Sequence, residues 1–141
     1  MAIKWTSALA VGIPAIDEQH QELFRRVAGL LEAMRASDPR EVARVMAFLG
    51  EYVIEHFRME EGLMQSYGYT QFALHKAAHD RFVTDYADMR KKLEVKGAVS
   101  FVTIQVKTWL CDWLVAHVSG TDMAFAQWHR RALEARHAQI A

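Results

Sequence analysis

The sequence predicts an all-α fold, an antiparallel up-down-up-down four-helix bundle with an N-terminal arm and a C-terminal helical tail. Three observations carry this expectation. Only two prolines, Pro14 and Pro39, interrupt 141 residues. Between turn signals, apolar residues recur at spacings of three and four, the period of a helix with one buried face. The connections between these stretches are short, which forces consecutive helices to run antiparallel.

Residues 1 to 16 read as an arm, with Gly12 and Pro14 as turn residues. Asp17 is a candidate N-cap for a first helix over about 17 to 37, whose apolar stripe is Ile16, Leu23, Val27, Leu30, Leu31 and Met34. Ser37-Asp38-Pro39 is a stop followed by a start: Asp38 caps and Pro39 occupies the first helical position, where its missing N–H costs nothing. The second helix then runs to about Tyr67 on Val42, Val45, Leu49, Val53 and Leu63, and Gly68 ends it. Thr70 is a candidate cap for a third helix, with Phe72, Phe82, Tyr86, Met89 and Leu93 inward. Lys91, Lys92 and Lys96 suit the negative end of that helix's dipole, and Gly97 breaks the chain. A fourth helix is expected from about Val99 to Val118 on Val102, Val106, Trp109, Trp113 and Leu114. Its β-branched residues favour a strand, but its length and period favour a helix. Ser119-Gly120-Thr121 is expected to close it, with a helical tail starting near Asp122.

The composition excludes several classes. Lys plus Arg equals Asp plus Glu, 17 each, so no overall charge draws the chain to nucleic acid. No run of eighteen apolar residues occurs, so no membrane span is expected; the nearest stretch, Val95 to Gly120, is interrupted by Lys96, Gln105, Lys107, Asp112 and His117. Cys111 is the only cysteine, which rules out an internal disulfide and any thiolate metal cluster. With no signal-like N-terminus, this points to a cytoplasmic protein. The chain as a whole, 1 to 141, is expected to form one domain, 17 to 118 making the bundle and 119 to 141 a ligand loop and tail, and to be a monomer.

Histidine is the unusual component, with seven in the chain. Laid over the stripes, five of them fall on core positions, His20 between Ile16 and Leu23, His56 with Glu60 between Val53 and Leu63, His75 and His79 between Phe72 and Phe82, and His117 one turn past Trp113, while His129 and His137 lie in the tail. A lone histidine on an apolar face is more often a core residue with a hydrogen-bond partner than a ligand. Here every helix carries at least one, and antiparallel topology brings all of them to one end of the bundle. Asp122 joins them if the chain turns back after His117; five residues is a poor spacing on an unbroken α-helix. Buried carboxylates and imidazoles without partners are costly, and a metal ion satisfies both. Five imidazoles and two carboxylates exceed the donors that one octahedral ion takes, so two ions are implied. Nitrogen and oxygen donors without thiolate suit iron or manganese better than zinc. If Glu60 and Asp122 both bridge, together with an oxo or hydroxo group, about eleven of about twelve octahedral positions are filled.

The chain resembles the hemerythrin family in its bacterial, single-domain form. The resemblance rests on Trp5 and Val11-Gly12-Ile13-Pro14-Ala15-Ile16-Asp17-Glu18-Gln19-His20, on His56-Phe57-Arg58-Met59-Glu60-Glu61, on Gly68-Tyr69 through His75-Lys76-Ala77-Ala78-His79-Asp80, and on Trp113-Leu114-Val115-Ala116-His117 with Asp122. It covers about residues 5 to 128. It implies two iron ions (Fe2+/Fe3+) with a bridging oxo or hydroxo group, His75, His79 and His117 on one ion, His20 and His56 on the other, and Glu60 and Asp122 bridging. It also implies dioxygen as a reversible ligand of the second ion.

The residues near the expected open position, Leu23, Phe57, Trp113, Leu114 and Val118, are apolar and offer no acid or base. A dry pocket of this kind favours reversible dioxygen binding, for storage, transport or delivery to an oxygen-consuming partner protein, over catalysis. The alternatives are a di-iron redox enzyme and an oxygen or nitric-oxide sensor that acts through a separate partner. A ferritin-like oxidase needs two facing Glu-x-x-His motifs; the only one here, Glu134 to His137, is in the tail. That tail is locally basic and aromatic, and Phe125, Trp128 and Leu133 are expected to pack on the bundle, a docking surface being the alternative.

Overall fold

The computed structural model describes residues 3–97 and 99–140, and among them there is helix and no strand. α1 (Pro14–Arg35), α2 (Pro39–Tyr67), α3 (Phe72–Lys96) and α4 (Ser100–Ala116) form the antiparallel up-down-up-down bundle, each packed on its chain neighbour and α4 closing back onto α1. The arm before α1 contains one 3₁₀ turn, Ser7–Leu9, and α5 (Met123–Ile140) follows the bundle. No helix is long and apolar enough to cross a membrane among the described residues.

The helix ends follow local chemistry, with three departures from expectation. α2 starts as expected: the Asp38 carboxylate accepts hydrogen bonds from the N–H groups of Arg40 (3.1 Å) and Glu41 (3.3 Å). It also ends as expected, with Gly68 left-handed at φ 72° and the Tyr69 N–H bonded to Met64 O. α1, however, begins three residues early, with Pro14 in its first turn and Ile13 at the N-cap. Asp17 therefore does not cap. It lies inside the first turn, and its carboxylate accepts from the N–H groups of Val11 (2.7 Å) and Gly12 (3.1 Å), pinning the arm to the helix. Gly12 has a φ of 91°, which a side chain would resist. Thr70 does not cap α3 either. The chain turns once more, the Phe72 N–H bonding to Tyr69 O, and Gln71 takes the N-cap position without a side-chain bond.

The third departure matters most for function. Ser119-Gly120-Thr121 does not close the fourth helix. From His117 to Asp122 the chain widens into one turn of π-helix and runs on into α5. The Ser119 hydroxyl donates to Val115 O at 2.7 Å, within the turn where the α-helical ladder is interrupted.

The apolar interior forms two clusters. The larger is built on Leu23, Phe24, Val27, Leu30, Met46, Leu49, Val53, Phe57, Phe82, Tyr86, Val106, Leu110 and Leu114. The smaller contains Val11, Ile16, Met64, Phe125 and Ala126, with Trp128 and Tyr69 packed against it. Of the tail residues expected to pack, Phe125 is buried and Trp128 partly so, but Leu133 is exposed, as are all of residues 130 to 139.

Candidate metal centre

Seven ionisable residues, His20, His56, Glu60, His75, His79, His117 and Asp122, are each no more than 5 % exposed. The structure brings all seven together. Glu60, His75, His79, His117 and Asp122 each offer a donor atom to one group, and His20, His56, Glu60 and Asp122 to a second. The two carboxylates belong to both.

Their oxygens divide between the groups. Glu60 Oε1 is 2.7 Å from His75 Nε2 and 3.2 Å from His79 Nε2, whereas its Oε2 is 3.5 Å from His56 Nε2 and 4.0 Å from His20 Nε2. Asp122 Oδ1 is 3.0 Å from both His75 Nε2 and His117 Nε2, and its Oδ2 is 2.9 Å from His20 Nε2. Donors about 2.1 Å from one ion at right angles lie about 3 Å apart. The contacts between carboxylate and imidazole in the first group, 2.7 to 3.2 Å, have this spacing, as does His20 with Asp122 in the second, where the contacts to Glu60 are wider, 3.5 and 4.0 Å. The π-turn helps the arrangement, because its wider i→i+5 register brings Asp122 nearer the face of His117 than an α-helix would.

Most of these atoms are close without bonding. Both nitrogens of His20 and His75 and both oxygens of Glu60 and Asp122 are buried with no hydrogen-bond partner. Polar atoms left in that state cost several kcal/mol together. Their lone pairs converge on shared points instead of on each other's protons, so the residues present fit a pair of metal ions. A nitrogen–oxygen set of this size, free of thiolate, suits iron.

Charge in the metal-free chain is uneven. Burial holds the His56 imidazole down to about 4, so it is neutral and ready to ligate. Burial also opposes charge on His75, but the Asp122 and Glu60 carboxylates at its Nε2 outweigh it and push it up to about 9. Burial raises the Asp122 carboxyl, yet the neighbouring His117, His20 and His75 hold it well below the ordinary carboxylate range. Metal loading at neutral pH therefore releases a proton from His75.

Two residues not anticipated from the sequence orient the ligands. The His56 Nδ1–H donates to Gln19 Oε1 at 2.7 Å and the His79 Nδ1–H to Glu61 Oε2 at 2.8 Å. Each bond fixes the tautomer that leaves Nε2 unprotonated toward the centre. Beside a ligand in sequence, Gln19 and Glu61 are indistinguishable from solvated polar residues. Glu61→Ala is expected to weaken iron binding about 10- to 100-fold; competitive titration against a chelator checks this, and unchanged affinity would contradict the role.

The apolar residues expected around the centre are all in or against the larger cluster. Phe57 stacks on the His79 ring (3.8 Å between centroids, 5° between planes) and Trp113 on the His117 ring (4.4 Å, 12°). Both thus wedge ligands of the first group, although Phe57 also reaches within 6.0 Å of the His56 ring. Leu23, Leu114 and Val118 are buried to 3 % exposure or less. With the smaller cluster packing Ile16 and Phe125 on the other side, the polar centre lies between two apolar layers.

Comparison with known proteins agrees with this geometry. Residues 11–128 match the family model described as the hemerythrin HHE cation binding domain. A bacteriohemerythrin of Methylococcus capsulatus is 34 % identical over 122 residues, 86 % of this chain and 92 % of that protein. A hemerythrin-like protein of Naegleria gruberi is 31 % identical over 121 residues, 86 % of this chain and 88 % of its own length. The crystal structure of a wild-type hemerythrin superposes with a TM-score of 0.81 at 32 % identity, covering 90 % of this chain and 97 % of that one. A histidine and carboxylate centre at one end of a four-helix bundle, a family model spanning both ends of that centre and relatives of nearly equal length lead to one assignment: the chain belongs to the hemerythrin family.

Proposed function

We propose that this protein binds dioxygen reversibly at a non-haem di-iron centre, for storage, transport or delivery to an oxygen-consuming partner, and that it is a carrier and not an enzyme. The observation that carries this reading is the unequal donor count. Five residues serve the first group and four the second, with Glu60 and Asp122 in both. If each of two ions took about six donors and the two shared one oxo or hydroxo ligand, these residues would leave one position unfilled, beside His20 and His56. When bound, the iron pair supplies electrons to dioxygen and recovers them on release.

The chain's own residues define the rest. His75, His79 and His117 would hold one ion and His20 and His56 the other, with Glu60 and Asp122, which belong to both groups, offsetting the charge of the pair. Gln19 and Glu61 keep two of the imidazoles in register. Leu23, Phe57, Leu114 and Val118 keep water from the open position, Trp113 backs the neighbouring ion through His117, and none of the five is a general acid. Withholding a general acid favours release of the ligand unchanged over cleavage. The unpaired Cys111 thiol fits a reducing, cytoplasmic setting.

Repeated exposure of the reduced, iron-loaded protein to oxygen and then to vacuum tests the proposal. The expected result is a visible absorption band that appears and disappears over several cycles. A one-way change to a stable oxidised spectrum in the first cycle would contradict it and favour a di-iron redox enzyme.

A further inference from the structure

Where the N-terminal arm passes over α1 and α4 it leaves a cleft of about 590 Å³, a volume in the range of small-molecule sites. Ile3 and Leu9 line it from the arm and are partly buried, and Phe24 of α1, only 2 % exposed, joins the cleft to the core. The opposite wall is α4 from Lys107 to Ala116. Midway along that wall burial pushes the Cys111 thiol up, as an apolar lining does. Further on, Val115 is 43 % exposed, an apolar side chain open to whatever enters the cleft.

Two features define what fits. The first is charge. Lys4 and Lys107 bring two ammonium groups to the cleft and Asp112 one carboxylate, which leaves one positive charge in excess. That excess matches a single anionic group, while Asp112 repels a second negative charge and so disfavours phosphate esters and dicarboxylates. The second is length. From Lys107 to Ala116 α4 rises about 13 Å, the span of a saturated chain of about ten carbons.

We propose that this cleft is a binding site for a medium-chain fatty carboxylate, its head group held by Lys4 and Lys107 and its chain lying along α4 toward Val115 and Ala116. None of the residues that line the cleft belongs to the two metal-donor groups, so the proposal is independent of dioxygen binding. The cleft nevertheless adjoins the support of the centre. Val115 O accepts the Ser119 hydroxyl at the foot of the π-turn, and the ligand His117 follows Ala116 directly.

Calorimetric titration of the iron-loaded full chain with sodium decanoate tests the proposal. One decanoate should bind per chain, with a Kd of about 100 µM. Octanoate should bind about fivefold more weakly, because it buries two methylenes fewer. Decyltrimethylammonium has the same chain and the opposite charge, and should bind at least about tenfold more weakly. Lys107→Glu should weaken decanoate binding about tenfold with the same helix content by circular dichroism. Lys4→Glu, on the arm, should act in the same direction without altering a bundle helix. Decanoate should also slow alkylation of Cys111 by iodoacetamide, since the thiol lies under the chain. Absence of saturable binding below about 5 mM decanoate would overturn the proposal. So would equal affinity for the anionic and cationic amphiphiles, binding indifferent to both lysine variants, or a Cys111 alkylation rate that decanoate leaves unchanged.

Discussion

Glu60→Ala is expected to lose iron binding by more than about 100-fold, because even residues that only orient a ligand are worth about 10- to 100-fold. Glu60 does more than orient. Its Oε1 stands 2.7 Å from His75 Nε2 and its Oε2 3.5 Å from His56 Nε2, so one substitution removes a donor from each group. It also removes one of the two carboxylates, both 0 % exposed, that would offset the charge of the ions. A buried cationic centre left short of a negative charge is not compensated by solvent. Metal analysis after desalting checks this: the parent chain is expected to hold two irons and the variant less than one. Retention of two irons in Glu60→Ala would contradict the bridging assignment.

Removing the metal altogether should lower the melting temperature by about 15 °C. The metal-free chain keeps its seven ionisable groups between two apolar layers, with both oxygens of Glu60 and of Asp122 lacking hydrogen bonds. A ligand bound only by the folded state stabilises it by about 4 kcal/mol at a thousandfold excess over its Kd, and a domain of this size shifts by about 4 °C per kcal/mol. Thermal unfolding with and without a chelator reads the difference. Coincident melts would mean that the cluster is satisfied without metal.

Much of this was legible in the sequence because the ligands occupy core positions. His20, His56, Glu60, His75 and His79 interrupt helical stripes whose other members are apolar, and periodicity alone singles them out. Asp38 and Gly68 were equally readable, since capping depends on the residue and its immediate neighbours. The losses came where a residue acts at a distance. Asp17 resembles a cap, but its carboxylate reaches back to Val11 and Gly12. Gln19 and Glu61 reach across to histidines on other helices, and a sequence does not show which polar residues cross the interior.

The π-turn is the most instructive case. Ser119 and Gly120 read as a break, and a break would also have freed Asp122 to return to the centre. The structure reaches the same end by widening the helix, which keeps α4 and α5 continuous and fixes the backbone that carries two ligands. Local propensity cannot foresee this, because the turn is held by tertiary demands on His117 and Asp122 and by one side-chain bond from Ser119.

If the seven residues hold two irons that together bind one dioxygen and release it, oxygen uptake and iron content are tied in a fixed ratio. Oxygen uptake measured alongside iron content in the reduced protein tests it most directly. One dioxygen should be taken up for every two irons and recovered in full on evacuation; uptake of one per iron, or uptake that evacuation does not reverse, would rule out reversible binding at a paired centre.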